Sequence, residues 1–434
     1  MKSVSGINWE EIKLDKRLID KVKIDENFDT IQAKLVVSRH FSKTEIFSIK
    51  YQTDIENPFF KNKDFLSACS LLKKHINRKS KIFVIGDYDV DGCVSTSLIV
   101  SFLKKKNVNV NYYIPDRILD GYGANINLIK KLISNDKPDL IIFLDCGSSS
   151  YDVTKYIKSL KIHSLIIDHH NTQKPYPLSE VFINPKKNSN YKNYDYLCTA
   201  FLTYLFLDLY IKLNHIKISI KEHQIFVLLA TVADVMPLRN INRILAINVL
   251  KNFNLNNNFV LSNLFKILKI KKKIELDDLG FIIAPILNSA GRLDNANQIV
   301  ELLITSSKHR IVKILEKIFH LNSKRKIIEK KCLDDLNFNK ISKQEGVIFI
   351  YEPNISEGII GIIAAKIKEY FNKPCIIFTN SGKIIKGSAR STSKFNIGEY
   401  INKALDMNIL LSGGGHNLAA GVSLLKKDLD IFKN

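Results

Sequence analysis

From Lys81 onward, short apolar runs alternate with amphipathic stretches. Ile82-Phe83-Val84-Ile85 comes first. Val94 to Leu103, Val110 to Ile114, Ile126 to Ile133, Leu140 to Leu144 and Leu165-Ile166-Ile167 follow. Short apolar runs set between segments with helical spacing predict the strands and crossover helices of a parallel α/β sheet. Two long helical segments come next, near Cys198 to Leu213 and Lys221 to Val235. Residues from 246 to 340 read as helical and rich in Lys and Asn. A second α/β pattern begins at Val347, with a strand to Tyr351, a helix from Ile359 to Phe371, and strands at Ile376 to Phe378 and Ile384 to Gly387. Upstream, the polar helical patterns of the first 80 residues are broken at Asn57-Pro58. The expected organisation is an N-terminal segment (1–55), an α/β domain (56–245), a helical connector (246–340) and a smaller α/β domain (341–434). No internal repeat is visible.

Composition narrows this picture. At 434 residues the chain is too long for one ordinary core. No run of about 18 uncharged apolar residues exists, so no membrane span is expected. The segment Met1-Lys2-Ser3-Val4-Ser5 has no apolar stretch of the secretory kind. Cys69, Cys93, Cys146, Cys198, Cys332 and Cys375 are scattered and form no C-x-x-C pair, which speaks against structural zinc and a disulfide framework. A reducing cytoplasm fits that usage. The net charge of +22 suits a polyanionic partner, although Lys, Asn and Ile are abundant throughout. Local basic runs, Lys271-Lys272-Lys273 and Lys324-Arg325-Lys326, read as solvated faces. Arginine is scarce where Lys supplies nearly all the positive charge, so a retained Arg points to a need for its planar fork.

Acidic residues collect at four places of one kind. Gly86-Asp87-Tyr88-Asp89-Val90-Asp91-Gly92 and Leu144-Asp145-Cys146-Gly147 each follow a predicted strand, as does Ile167-Asp168-His169-His170-Asn171. Ala233-Asp234-Val235 ends a helix. Ligands of an open parallel sheet bind beyond the carboxyl ends of its strands. Carboxylates crowded at one crevice repel unless a cation neutralises them. A mixed oxygen and imidazole set suits Mn²⁺ or Mg²⁺ better than thiolate-favouring metals. Two such ions about 4 Å apart activate a water and stabilise a leaving oxygen in phosphoryl hydrolysis. Asp195, Asp208 and Asp294 stand outside the pattern and read as structural or solvated.

With Asp168-His169-His170 and the three other acidic motifs in order, the chain resembles the DHH phosphoesterase superfamily. The Asp-Tyr-Asp-x-Asp-Gly form of the first motif looks like the RecJ branch. So do Ile114-Pro115-Asp116-Arg117 with Asp120-Gly121-Tyr122-Gly123, Asn288-Ser289-Ala290-Gly291-Arg292-Leu293 and Lys386-Gly387-Ser388-Ala389-Arg390-Ser391. Gly413-Gly414-Gly415-His416 with Ala419-Ala420-Gly421 resembles the nucleic-acid-binding DHHA1 domain. The resemblance implies a DHH catalytic domain and a DHHA1 domain with the active site in the cleft between them.

By that resemblance Asp89, Asp91, Asp145, His169 and Asp234 are metal ligands, with Asp145 bridging and Asp87 a further ligand. Asp168 orients the imidazole from outside the metal sphere, and His170 contacts the scissile phosphate. Arg117, Asn288, Arg292, Ser388 and Arg390 hold nucleic-acid phosphates, including a terminal 5′-phosphate. The backbone at Gly414 and Gly415 approaches a phosphate, with His416 as an added donor, unless that run is only a flexible turn. Two places depart from the pattern. Ile355-Ser356 stand where relatives carry Trp-His, and Ile286 replaces an Arg.

The expected activity is single-strand-specific 5′→3′ exodeoxyribonuclease, releasing 5′-mononucleotides by a two-metal mechanism in DNA repair and recombination. Single-stranded DNA with a 5′-phosphate is the expected substrate. The implied setting is a cytoplasmic monomer, with single-strand-binding protein and a repair helicase as partners. A phosphodiesterase for short oligoribonucleotides or cyclic dinucleotides is the alternative, and a catalytically dead DNA-binding scaffold is a third reading. RecJ proteins typically continue into an OB fold. The chain stops soon after its glycine-rich motif, so lower affinity and processivity are expected if that module is absent.

Overall fold

Strands buried on both faces of a sheet must be apolar at nearly every position. The runs that become β1, β3 and β4 meet that condition, while the Val110–Tyr113 run forms a partly exposed edge strand, in the computed structural model, which describes residues 3–433 except 5, 7, 52, 122, 188–190 and 192. Strands β1 (Ile82–Gly86), β2 (Val110–Tyr113), β3 (Leu140–Leu144), β4 (His163–Ile167) and β5 (Val181–Ile183) form a parallel sheet in the order β2-β1-β3-β4-β5. Helices Val90–Lys105, Ile126–Asn135 and Tyr151–Ser159 make the crossovers. Phe143, Ile141, Ile166 and Ile157 pack one buried face. The chain leaves β1 for β2 on one side and returns to β3 on the other. The switch point therefore lies between β1 and β3, where such sheets place their ligands.

A second, mixed sheet orders its strands β6 (Ile348–Tyr351), β7 (Cys375–Ser381), β8 (Ile384–Arg390), β10 (Ala419–Leu424) and β9 (Ser412–His416). Only β6 and β7 run parallel; the other pairs are antiparallel. The apolar sides of helices Glu357–Phe371 and Ile397–Asp406 close its two faces. Helices Phe259–Ile267, Ala284–Leu293, Asn297–Ile304 and Lys308–Asp335 precede this sheet in the chain, as expected of a helical connector. The two-sheet α/β class matches expectation. Strands β5, β9 and β10 were not legible. β5 has only three residues, and Gly413, Gly414 and Gly415 belong to an edge strand where a turn was one reading.

Two compact units divide the chain. The first comprises residues 1–56 and 237–252; both sheets belong to the second. The 245 limit read from sequence thus falls inside helix Asn240–Asn252 of the first unit. In that unit Asp29 and Ser42 close capping boxes with Gln32 and Glu45. Glu45 is buried, and Arg239 Nη2 donates to its Oε2 at 2.8 Å. The Arg239 hydrogen bond holds the carboxyl down at about 2 against the opposing effect of burial. Because this value lies below the ordinary 4.5, the pair's stabilisation is present above pH 4.5 and is lost as pH falls toward 2. Glu45→Gln is expected to cost about 1–3 kcal/mol at pH 7 and to flatten the acid limb of this unit's unfolding, read by chemical denaturation between pH 7 and 3.

Arg325 corrects one expectation. Read as part of a solvated run, it is instead buried, with Nη1 on Glu329 Oε2 at 2.8 Å and Nε and Nη2 on Asn322 Oδ1. Lys366 also pairs with Glu329. Helical periodicity turns one member of a basic run inward, where burial demands a partner. Lys271, Lys272 and Lys273 are exposed as read.

Candidate metal and nucleic-acid site

The turn after β1 carries Asp87, Asp89 and Asp91 into the start of helix Val90–Lys105. Asp89 is its N-cap, accepting from Asp91 N at 3.0 Å and Gly92 N at 3.1 Å. Gly92 is required by contact: a Cβ there would stand 2.5 Å from the backbone of Asp87. Asp91 is buried, and its two oxygens accept from Ala200 N and Thr199 N, both at 2.8 Å. Helix Thr199–Leu213 thus aims its first N–H groups at a carboxylate. Beyond β3, Asp145 adopts φ +61°, which Asp tolerates better than most residues, and its Oδ1 accepts from Thr199 Oγ1 at 2.9 Å. Beyond β4 stand Asp168, His169 and His170.

These elements bring all six expected ligands together. Potential ligand atoms converge in three overlapping groups: Asp87, Asp89 and Asp145; Asp145, His169 and His170; and Asp91, His169 and Asp234. His169 Nε2 stands 3.3 Å from Asp234 Oδ2, 3.5 Å from Asp145 Oδ1 and 3.9 Å from Asp91 Oδ2. Burial, then the neighbouring carboxylates, push Asp145 well above the usual carboxylate range. Burial and Asp89 raise Asp87 as well, and burial and Asp91 raise Asp234. Burial, with His170, lowers His169 to about 3, so its imidazole is neutral and has a free lone pair. Among the described residues, the buried His169 Nδ1 and Asp234 Oδ2 have no hydrogen-bond partner.

The donor set fits hard divalent cations. Asp87, Asp91, Asp145 and Asp234, all raised by burial and neighbouring acids, gain by neutralisation, one imidazole nitrogen is available, and no thiolate competes. Burial holds the nearby Cys93, Cys146 and Cys198 far above the ordinary thiol range.

Asp168 is arranged differently from expectation. It was expected to orient the metal-binding imidazole. Instead its Oδ1 bonds His170 Nδ1 at 2.8 Å and the backbone N–H groups of His169 and His170, while Oδ2 accepts from Ser148 N at 3.0 Å. The carboxylate sits on its own turn, where the second following residue is nearer than the ring of the first. Burial would raise Asp168, but the His170 charge and hydrogen bond hold it below the usual range. Burial likewise opposes His170, yet Asp168 carries it up to about 9. His170 therefore holds its proton at neutral pH.

The expected phosphate-binding residues fall into three settings. Arg117 stacks over the Tyr88 ring, 5.0 Å from its centroid. Arg292 Nη1 donates to Gly358 O at 3.0 Å. Burial and the charges of Arg117, Arg390 and Arg325 lower it to about 10. Arg390 Nη1 reaches Ser388 Oγ at 3.3 Å, and a Cβ on Gly361 would come within 3.0 Å of Ser388 Oγ and 3.1 Å of Arg390 Nη2. The charges of Arg117 and Arg390 thus act on Arg292, and that of Arg117 on Arg390. Asn288 differs: its Oδ1 accepts from Val90 N at 2.9 Å, tying helix Ala284–Leu293 to the first acidic turn. Gly414 and Gly415 are exposed on β9; His416 keeps an exposed surface but its ring is partly desolvated, and that desolvation, then the charges of Lys186, Arg390 and His170, lowers its pKa. Tyr122 lies outside the described residues. Of the departures, Ile286 is buried in the core and Ile355 packs against the second sheet's helix.

Thr199 was missed by sequence reasoning. It grips both Asp91 and Asp145, yet a threonine opening a helix carries no functional signal of its own.

A family model described as DHH family, N-terminal domain, matches residues 81–231, and one described as DHHA1 domain matches residues 344–433. The chain is 30% identical to the single-stranded-DNA-specific exonuclease RecJ of Bacillus subtilis (strain 168) over 439 aligned positions, 98% of this chain and 54% of that protein. It is 30% identical to RecJ of Haemophilus influenzae (strain ATCC 51907 / DSM 11121 / KW20 / Rd), covering 85% of this chain and 67% of that protein. The crystal structure of RecJ in complex with Mn²⁺ from Thermus thermophilus superposes with a TM-score of 0.81 at 23% identity, over 97% of this chain and 60% of that one. This chain thus spans little more than half the length of the Bacillus protein.

Proposed function

Because this chain belongs to the DHH family, in its RecJ branch, we propose that it is a metal-dependent exodeoxyribonuclease that digests single-stranded DNA from a 5′-phosphate end and releases 5′-mononucleotides. The observation that carries the reading is the convergence of Asp87, Asp89, Asp91, Asp145, His169 and Asp234 at the β1/β3 switch point. In this reading the division of labour is catalysis in 56–245 up to the 237–252 segment that belongs to the first unit, connection in 246–340 with Arg292 facing the substrate, and nucleic-acid binding in 341–434. Digestion in repair and recombination, alongside single-strand-binding protein and a helicase, by a cytoplasmic monomer, belongs to the same proposal.

Those six residues would hold two Mn²⁺ or Mg²⁺ ions, and Asp145 belongs to two of the three convergent groups. When bound, the ions supply Lewis acidity and lower the pKa of a coordinated water. The chain's own groups do the rest. Arg117, Arg292, Ser388 and Arg390 seat the terminal 5′-phosphate, the match for mutually repelling guanidinium groups. His170, kept protonated and fixed in orientation by Asp168, donates to a non-bridging oxygen of the scissile phosphate as negative charge grows there. His169 stays neutral as a nitrogen ligand. Asn288 keeps the arginine-bearing helix in register with the acidic turn. The cationic surplus steers a polyanion to the site.

The direct test is digestion of a 5′-phosphorylated, 3′-labelled single strand in Mn²⁺ beside a matching duplex. Shortening of the single strand alone is expected. Equal rates on both would defeat single-strand selectivity, and cleavage confined to a dinucleotide would move the protein to the short-substrate alternative. Arg292→Lys is expected to lower kcat/KM on 5′-phosphorylated strands by about 10- to 100-fold, since one bidentate charged contact becomes a point charge. The same strands with a 5′-hydroxyl should lose much less.

A further inference from the structure

The helix that bears Asn288 and Arg292 is irregular upstream. Asp278–Ile283 forms a π-helical turn that runs directly into Ala284–Leu293. Pro285 supplies the cause. It has no N–H for the carbonyl four residues earlier, which is that of Phe281, and its ring crowds that oxygen. The backbone widens there, as π-turns do, frequently at functional sites. Gly280 seats the turn closely: a Cβ would come 2.9 Å from Val232 Cγ1, on the helix that ends at Asp234. The next residue, Phe281, is 80% exposed. From it the partly exposed positions Pro285, Asn288 and Arg292 recur at intervals of four, three and four, one helical face, while Ile286, Leu287 and Ser289 are buried. That face runs from a phosphate-binding guanidinium, past the acidic turn, to an exposed aromatic ring about 16 Å away at 1.5 Å per residue.

We propose that Phe281 is a stacking platform for a nucleobase of the single strand, on the 3′ side of the bond being cut. The proposal rests on the single-strand reading above. Guanidinium groups hold the phosphate end but give no grip on the bases that follow. Every base has a π face, so an aromatic ring on the same face holds the strand without selecting sequence. Single exposed apolar side chains are common on protein surfaces. Phe281 differs in being carried on a bulged turn pinned by Gly280 and Pro285, in line with Arg292.

The test compares wild type, Phe281→Ala and Phe281→Trp on 5′-phosphorylated oligothymidylates from two to about twenty nucleotides, a range that brackets one aromatic contact per base. In wild type KM should improve in a step at the length where the strand reaches the ring. In Phe281→Ala that step should vanish, raising KM on long strands by about 5- to 100-fold, the worth of one base stack. Phe281→Trp should restore it. A single abasic residue at that position should weaken wild type alone. Melting temperatures report that folding is intact. An unchanged length profile in Phe281→Ala, or a loss equally large at every length, overturns the platform. Wild type that cuts nothing longer than a dinucleotide overturns the single-strand reading itself, and the platform with it.

Discussion

Asp145→Asn should abolish most hydrolysis while leaving the apoprotein at least as stable as wild type. Asp145 is buried at φ +61°, a conformation that Asn adopts with little strain and Ala does not. Its bond from Thr199 Oγ1 survives, because an amide oxygen accepts equally well. What disappears is the charge. Burial and the neighbouring acids raise the Asp145 pKa far above the unfolded value. For a carboxyl shifted upward, ionisation opposes folding, and stability falls as pH rises through the unfolded value. Removing that charge therefore relieves the apoprotein. Activity should drop by more than about 10²-fold, since even residues outside a metal's coordination sphere cost 10- to 100-fold. Wild type should also gain about 2.7 kcal/mol of stability at Mn²⁺ 100-fold above its Kd, and the variant should lose most of that gain. Differential scanning calorimetry with and without Mn²⁺, beside the exonuclease assay, reads both effects. Full activity in Asp145→Asn would remove Asp145 from the metal site.

Gly358→Ala should disrupt the junction between the two α/β lobes. A Cβ at this position would sit 2.0 Å from the carbonyl oxygen of Arg292 and 2.8 Å from its carbonyl carbon. These are backbone atoms of a packed helix, so no rotamer change relieves them. In return, the Arg292 guanidinium donates to the Gly358 carbonyl, so one close approach serves both helices. Ala should gain about 0.5–1 kcal/mol of helix propensity over Gly. Forced separation of the helices outweighs that, at about 1–3 kcal/mol net or more. Displacing Arg292 should also cost the preference for a 5′-phosphate. Gly421→Ala is the control: a Cβ there meets nothing within 4 Å, and its melting temperature should stay near wild type. An unchanged melting temperature in Gly358→Ala would show that the helices yield more readily than their backbone contact implies.

Much of the site was legible because strand ends are local features. An apolar run followed at once by Asp or Asp-His-His needs no partner to be seen: three strand ends and one helix end marked the acids, and the family resemblance then assigned Asp87, Asp89, Asp91, Asp145, His169 and Asp234 as ligands. Scarcity made each Arg worth weighing, and the family resemblance singled out Arg117, Arg292 and Arg390 among them. Pairings were less visible. Nothing in Asp-His-His says which imidazole the aspartate will hold, and the turn gives it His170. Nothing near Asn288 says that its oxygen belongs to Val90, 198 residues earlier. Arg325 looked solvated in a run of basic residues until helix packing enclosed it with Glu329.

By itself the sequence determined the two α/β regions, the apolar strands and the inventory of acids, imidazoles and arginines, because burial on both faces of a sheet and the chemistry of side chains act residue by residue. The tertiary structure alone decided who faces whom. Strand order put the switch point between β1 and β3. Glycine contacts at Gly291 and Gly358 brought backbones from distant segments together, and the start of helix Thr199–Leu213 came to rest against Asp91 and Asp145. Such contacts depend on distances between residues far apart in the chain, and only packing sets those distances.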